Sequence, residues 1–338
     1  MRYLVAVAVL SGPVAILRAQ APDPGPPPGK LLDIGGRRIH LLCSGAGSPT
    51  VVLEAGASAF AIDWTLVQES VARTNRVCSY DRAGSGWSEP STPTSRGTIV
   101  SDLHSVLQLA AEAPPYILVG ASAGGLYVRQ YQAEFPGDVV GMVLVDPATE
   151  TRLFTYFEGN AVAIASLSAE QLRSTIPSGS VDVPRRAPQT GTPFDRLPPP
   201  LYQTRIKLDT RLIAAIPDTV TYEARLAGAE RERVRLARLK ELSETQAHPL
   251  ADRPLVILTR GLESNQELQD AHAELTRLST NSRHRVIPGA GHEIHLFAPD
   301  AVVQAIADVV KALRDNARLD PPEQETKQPA RFAPAGCC

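Results

Sequence analysis

The chain has 338 residues, and 34 Lys and Arg against 36 Asp and Glu leave a formal charge of −2. Hydrophobic residues make up 43% and charged residues 21%, a globular composition that can bury a large core and excludes wholesale disorder. A charge near zero gives no general attraction to phosphate, so no nucleic-acid partner is expected. No internal apolar run approaches the ~20 residues of a bilayer-spanning helix.

The first segment in chain order stands outside the expected fold. Arg2 gives a positive start, an apolar stretch runs from Leu4 to Leu17, and small residues follow at Ala19 and Ala21. This is the pattern of a secretory signal peptide over residues 1–21. Cleavage after Ala19 is favoured, because Pro22 sits just beyond the second site. The alternative is an uncleaved membrane anchor. The export signal predicts a secreted or periplasmic protein with no stable membrane span after cleavage. Residues 22–30 are proline-rich and read as a linker.

Short apolar runs then recur at 38–42, 50–53, 76–80, 116–119, 139–145, 254–258 and 285–287. They are rich in Val, Ile and Leu with little alternation, as strands buried on both faces are. Helical patterns fall between several of them, at 98–113, 125–135, 262–278 and 300–314. This alternation predicts an α/β sheet. It stops between Asp146 and Pro254, where no strand is expected. That stretch holds helical patterns at 168–174 and 221–242, a proline-rich passage from 184 to 200, and Glu230-Arg231-Glu232-Arg233, read as a solvated helix face. Residues 317–338 are rich in proline and charge and predict a disordered tail; its terminal Cys337 and Cys338 receive no role.

The chemistry is carried by residues 116–125, YILVGASAGG. They place Gly120-x-Ser122-x-Gly124 directly after an expected strand and before an expected helix, the context of a nucleophile elbow. So tight a turn needs small neighbours, and Gly120, Ala121, Gly124 and Gly125 supply them. The turn lifts Ser122 off the sheet and aims the positive end of the next helix at it. The competing reading is a glycine-rich turn with an idle serine.

A serine needs a base. His292, in Gly289-Ala-Gly-His292, follows the last expected strand, where a loop returns over the sheet top. His295 lies one helical turn deeper. His295, His40, His104, His248, His272 and His284 all read as ordinary core or surface imidazoles. The base in turn needs a carboxylate to hold its tautomer. Asp146 ends its strand at the sheet top and gives the chain order Ser122, Asp146, His292. Glu263, in the loop after 254–258, is the rival acid, and Glu150 a more distant one. Oxyanion donors are expected at the backbone N–H groups of Ala123 and of Ala57, which follows Gly56.

Together these residues resemble the α/β-hydrolase superfamily of serine hydrolases from residue 31 to about residue 315. Asp81-Arg82-Ala83-Gly84-Ser85-Gly86-Trp87-Ser88 is similar to the family's loop after the fourth strand, and Asp63-Trp64 to its secreted and bacterial branches. The chain departs from the family where it has Ala55-Gly56 in place of the frequent His-Gly, and Ala121 beside the serine. The family's acidic loop after the penultimate strand is weak here. In some branches the acid ends the strand before the cap, the position of Asp146.

The resemblance implies a mostly parallel eight-stranded sheet, with helices on both faces and a helical cap inserted after strand six. The chain would divide into core 31–148, cap 149–250 and core 251–316. The implied strand order, 1-2-4-3-5, makes the strands of Cys43 and Cys78 antiparallel neighbours. With export, that predicts a Cys43–Cys78 disulfide rather than two buried thiols. The implied activity is hydrolysis of a carboxylic ester in a small-molecule acyl substrate through an acyl-enzyme, with no metal or organic cofactor. Aminopeptidase, lactonase or carbon–carbon hydrolase chemistry, and a non-catalytic binding module on the same fold, are the alternatives. Haloalkane dehalogenases and epoxide hydrolases of the family use Asp at the elbow, which disfavours those activities.

Overall fold

The computed structural model describes residues 22–91, 98–151 and 153–319. The first half runs β1 (Lys30–Asp33), β2 (Arg38–Ser44), β3 (Thr50–Glu54), α1 (Thr65–Val71), β4 (Val77–Tyr80), α2 (Ile99–Leu109), β5 (Tyr116–Ala121), α3 (Ala123–Glu134) and β6 (Val139–Val145). An insert follows with β7 (Phe154–Phe157), β8 (Asn160–Ala163), α4 (Ala169–Thr175), β9 (Val181–Asp182), α5 (Pro199–Ala215), β10 (Thr219–Val220) and α6 (Tyr222–Thr245). The chain then returns through β11 (Leu255–Arg260), α7 (Gln266–Glu274), β12 (Ser282–Ile287), α8 (Ile294–Phe297) and α9 (Pro299–Arg314).

The main sheet has eight strands in the order β1-β2-β4-β3-β5-β6-β11-β12. Only β2 runs against its neighbours. Strands β3, β4 and β5 are buried along their whole length, which is why their sequences show no polar alternation. Val100, Leu103, Val106 and Leu107 of α2 and Val128 and Tyr131 of α3 cover one face. Val67 and Val71 of α1 and Val302, Ala305, Ile306, Val309 and Val310 of α9 cover the other. The edge strand β1 has exposed ends and so left no apolar run in the sequence.

Cys43 and Cys78 lie directly opposite each other in the β2–β4 ladder and form a disulfide. Their sulfurs and a Glu112 carboxylate oxygen lie within 4.8 Å of one another, but both sulfurs are committed to each other and cannot ligate a metal as thiolates.

The structure differs from the sequence expectations in several places. The expected helix at 262–278 starts later, at Gln266, because Asn265 caps it and Glu263 sits in the left-handed region at φ 52°. The insert is not purely helical. It carries two small antiparallel pairs, β9–β10 and the hairpin β7–β8, which turns at Glu158-Gly159, both with positive φ, the geometry a two-residue hairpin favours. Helix α5 was hidden by the proline-rich passage, because Pro199 and Pro200 occupy its first turn, where no intrahelical N–H is needed. The proline-rich residues expected as a linker lead into β1 at Lys30 and touch the core: Gly25 O accepts from Trp87 Nε1 at 2.9 Å, and Pro28 O meets His40 Nε2.

The first residues of the expected tail, 317–319, are placed against the core. Leu319 N–H donates to Asn281 Oδ1 at 2.9 Å, and its side chain joins the apolar layer under α9. The expected signal peptide, the rest of the tail, and Cys337 and Cys338 lie outside the described residues. Among the described residues no helix is long and apolar enough to cross a membrane.

The insert seats on the core in three places. Leu236 and Leu239 of α6 pack on Leu126 of α3. Leu208 of α5 packs on Phe60 and Ile62. Phe194 and Leu197 pack on Leu296 of α8. Two buried ion pairs reinforce these seams: Arg205 Nε to Asp63 at 2.9 Å, and Arg129 to Glu150, which also accepts from Ser243 of α6.

Candidate active site

Ala121 of β5 pairs with Val145 of β6, so the next residues, Ser122 and Asp146, leave adjacent strands side by side. The main chain fixes both. Ser122 N–H donates to Val145 O at 3.0 Å, and Asp146 N–H donates to Leu258 O at 2.7 Å. Ser122 has φ 51° and ψ −121°, a strained conformation for a residue with a Cβ. The turn survives because its neighbours are glycines. A Cβ on Gly120 would stand 2.6 Å from Gly124 O, and one on Gly124 would run into Glu54 O.

His292 closes the group. Its Nε2 lies 3.0 Å from Ser122 Oγ, and its Nδ1 lies 2.5 Å from Asp146 Oδ2. With Nδ1–H donated to the carboxylate, the Nε2 lone pair faces the serine hydroxyl. Asp146 is buried, whereas the His292 side chain is 42% exposed. Burial pushes the Asp146 carboxyl up, but its hydrogen bond with His292 and the amide and guanidinium of Arg260 outweigh that and hold it below the usual carboxylate value. The same hydrogen bond raises His292, against burial and the nearby Arg260.

The rival acids do not reach this group. Glu263 is exposed on its loop. Glu150 is buried but bound to Arg129, and burial is outweighed there by the guanidinium, which holds the carboxyl at about 2. Of the other histidines, His40 is paired with Asp81 at 2.7 Å. His104 stacks on Phe135, and His248 meets Arg277 O at 2.7 Å. His272 and His284 share Thr259 Oγ1, each at 2.7 Å.

Ala123 is the first residue of α3, so its N–H is one of the helix's unpaired leading donors. Ala57 follows β3 and, with Gly56, lines a cavity shared with Ser122. The loop that holds Ala57 is clamped from behind. Arg82 donates to Ala55 O at 2.7 Å, to Gly56 O, and to the buried Glu54. Burial pushes Glu54 up against the pull of Arg82, and Tyr80 donates to the same carboxylate.

Two cavities flank Ser122. One, about 50 Å³, lies under the insert and is lined by Ala57, Asp63, Gln189, Arg205 and His295 among others. The other, about 180 Å³, opens beside Pro147, Leu153, Leu268 and Arg260. Sequence reasoning missed Arg260 and Arg205 and gave His295 no role. The signal for Arg260 was its place at the end of a strand beside that of Asp146; Arg205 left none, because its partner Asp63 is 142 residues away.

The Alpha/beta hydrolase family profile matches residues 41–305, and the chain belongs to that family. It is 25% identical over 271 residues to the uncharacterized protein YqjL of Bacillus subtilis, covering 78% of this chain and 85% of that one. It is 34% identical over 137 residues to the probable transporter efuK of Hormonema carpetanum; that match covers 37% of this chain but only 19% of that protein. Among solved structures it is similar to a thermophilic esterase from Thermogutta terrifontis, at 20% identity and TM-score 0.52, covering 82% of this chain and 94% of that one. It is also similar to the meta-cleavage product hydrolase of Pseudomonas fluorescens IP01, at 18% identity and TM-score 0.56, covering 84% and 98%. These structural likenesses speak for the fold.

Proposed function

We propose that the protein is a secreted serine hydrolase that cleaves carboxylic esters of small molecules. The observation that carries this reading is the continuous contact from Asp146 through His292 to Ser122, set on a strained turn at a helix N-terminus. Ser122 Oγ attacks the ester carbonyl while its proton passes to His292 Nε2. The amides of Ala57 and Ala123 receive the oxyanion, each worth about 3 kcal/mol of transition-state stabilisation. The bond to the leaving oxygen breaks as His292 returns the proton to it. Water then attacks the acyl-enzyme by the same route and frees Ser122. Asp146 keeps Nδ1 protonated and balances the imidazolium charge.

The His292 side chain and the larger of the two cavities are open to water, which deacylation requires. The insert acts as a cap over Ser122. Export rests on the N-terminal signal pattern, and the Cys43–Cys78 disulfide suits an oxidising compartment. The test is labelling with a fluorophosphonate, read by intact mass. One adduct is expected on the native protein and none on Ser122→Ala. A well-folded native protein without an adduct would favour the alternative of a binding module on this fold.

A further inference from the structure

Two of the groups that wall the cavity under the insert, Arg205 and His295, differ in how their polar atoms are met. Arg205 is fully buried, donates to Asp63, and gives its other nitrogens to Gln189 O at 3.2 Å and Gln189 Oε1 at 3.0 Å. Its guanidinium lies 3.5 Å from the Phe194 ring centre. His295 is different. It is 5% exposed, its ring sits 4.6 Å from that of Trp64, and its Nδ1 is sealed from solvent with no hydrogen-bond partner among the described residues.

That orphan decides the tautomer. Burial first, and then the charges of His292 and Arg205, push His295 down to about 3, so the ring is neutral and carries one N–H. A sealed N–H without an acceptor is rarer and more costly than a sealed lone pair. Nδ1 therefore keeps the lone pair and the proton resides on Nε2. His295 lines the Ser122 cavity, and its single N–H is on Nε2.

Size and charge narrow the occupant. About 50 Å³ admits a chain of a few heavy atoms and no aromatic ring. The cavity's formal charges are Asp63, Arg205 and Glu293, so a carboxylate there would meet a net negative wall. We infer that this cavity is a subsite for short, neutral acyl groups carrying an oxygen beyond the carbonyl, and that His295 Nε2–H donates to that oxygen. The subsite rests on Ser122 being the group that takes the acyl chain, as proposed above. The bulkier leaving group is left to the larger cavity beside Leu153 and Leu268.

The test uses para-nitrophenyl esters, whose ring is confined to the larger side. Methoxyacetate and butyrate differ by one oxygen in place of a methylene, and octanoate probes length. Each kcat/KM of the full chain is divided by the rate of the same ester with hydroxide, which removes intrinsic reactivity. Methoxyacetate is expected to exceed butyrate by about tenfold, the worth of one hydrogen bond. Octanoate is expected roughly a hundredfold below butyrate. His295→Leu should bring the methoxyacetate-to-butyrate ratio near one, and His295→Gln, which keeps a donor, should retain most of it. Should the leucine variant fail to fold, the native ratio and the glutamine variant decide. A native ratio near one, octanoate equal to butyrate, or an unchanged ratio in His295→Leu overturns the subsite while fluorophosphonate labelling of Ser122 stands. A folded protein that takes no label overturns the ester reading and the subsite with it.

Discussion

Arg260 grips Asp146 twice, its amide donating to Oδ1 at 3.0 Å and its guanidinium to Oδ2 at 2.8 Å, the oxygen that also meets His292. The carboxylate is thereby fixed by a residue of the neighbouring strand before His292 arrives. The same guanidinium lies 3.2 Å from His292 Nδ1, so its charge opposes protonation of the imidazole.

Arg260→Met is therefore expected to lower kcat/KM about three- to tenfold at neutral pH, through a looser Asp146. It should also move the acid limb of the pH profile upward, because a cation that held His292 down is gone. Arg260→Lys should restore most of the limb position. A profile that keeps its shape while only its height falls would mean Arg260 is structural.

Asp146→Asn should reduce kcat about 10⁴-fold, since the wrong His292 tautomer is then favoured. Glu263→Gln should change it no more than about twofold, because Glu263 is an exposed loop residue. Steady-state rates on one ester decide between the two carboxylates.

The native enzyme should lose activity as pH falls through a value above the ordinary imidazole 6.5, because the base must be neutral and Asp146 raises His292. The stability sign is opposite: a raised imidazole adds stability at low pH that fades as pH rises through its folded value. In Asp146→Asn the residual activity should show its acid limb at lower pH. A pH profile of kcat/KM measures both.

The Cys43–Cys78 bridge closes a loop of 35 residues in sequence separation. Chain-entropy reasoning gives about 4 kcal/mol for a loop of this length. Cys43→Ser with Cys78→Ser should lower Tm by roughly 5–10 °C. Intact mass after alkylation, with and without reductant, should differ by the label on this pair.

Arg205→Met leaves Asp63 buried without its cation and should destabilise by about 3–5 kcal/mol. Burial already pushes Asp63 up to about 6 despite Arg205, so the unpaired carboxyl should take a proton. The double variant Asp63→Leu with Arg205→Met should recover most of the loss. Thermal unfolding of the three variants checks this.

The parts legible in the sequence were those set by local patterning. The runs at 50–53, 116–119 and 139–145 read as strands because both their faces are apolar, and the small residues around Ser122 marked the elbow because nothing larger fits. Asp146 was legible because a strand end is a defined place. The insert was not. Its contacts join residues far apart, such as Arg205 with Asp63 and Ser243 with Glu150, and no periodicity records such pairs. His295 read as an ordinary core or surface imidazole; its burial and its lack of a partner for Nδ1 among the described residues show only in three dimensions.

Ser122 and Asp146 both precede the insert, and the pairing of Ala121 with Val145 sets their spacing. The 107 residues between Asp146 and Pro254 can thus be exchanged as a cassette without moving the carboxylate relative to the serine. Such a graft would carry over or discard Arg205, Gln189 and Phe194 together, resculpting one side of the cavity in a single step. Its obligations to the host are a cation for Asp63 and an anion for Arg129, or a host in which those two residues have been made apolar.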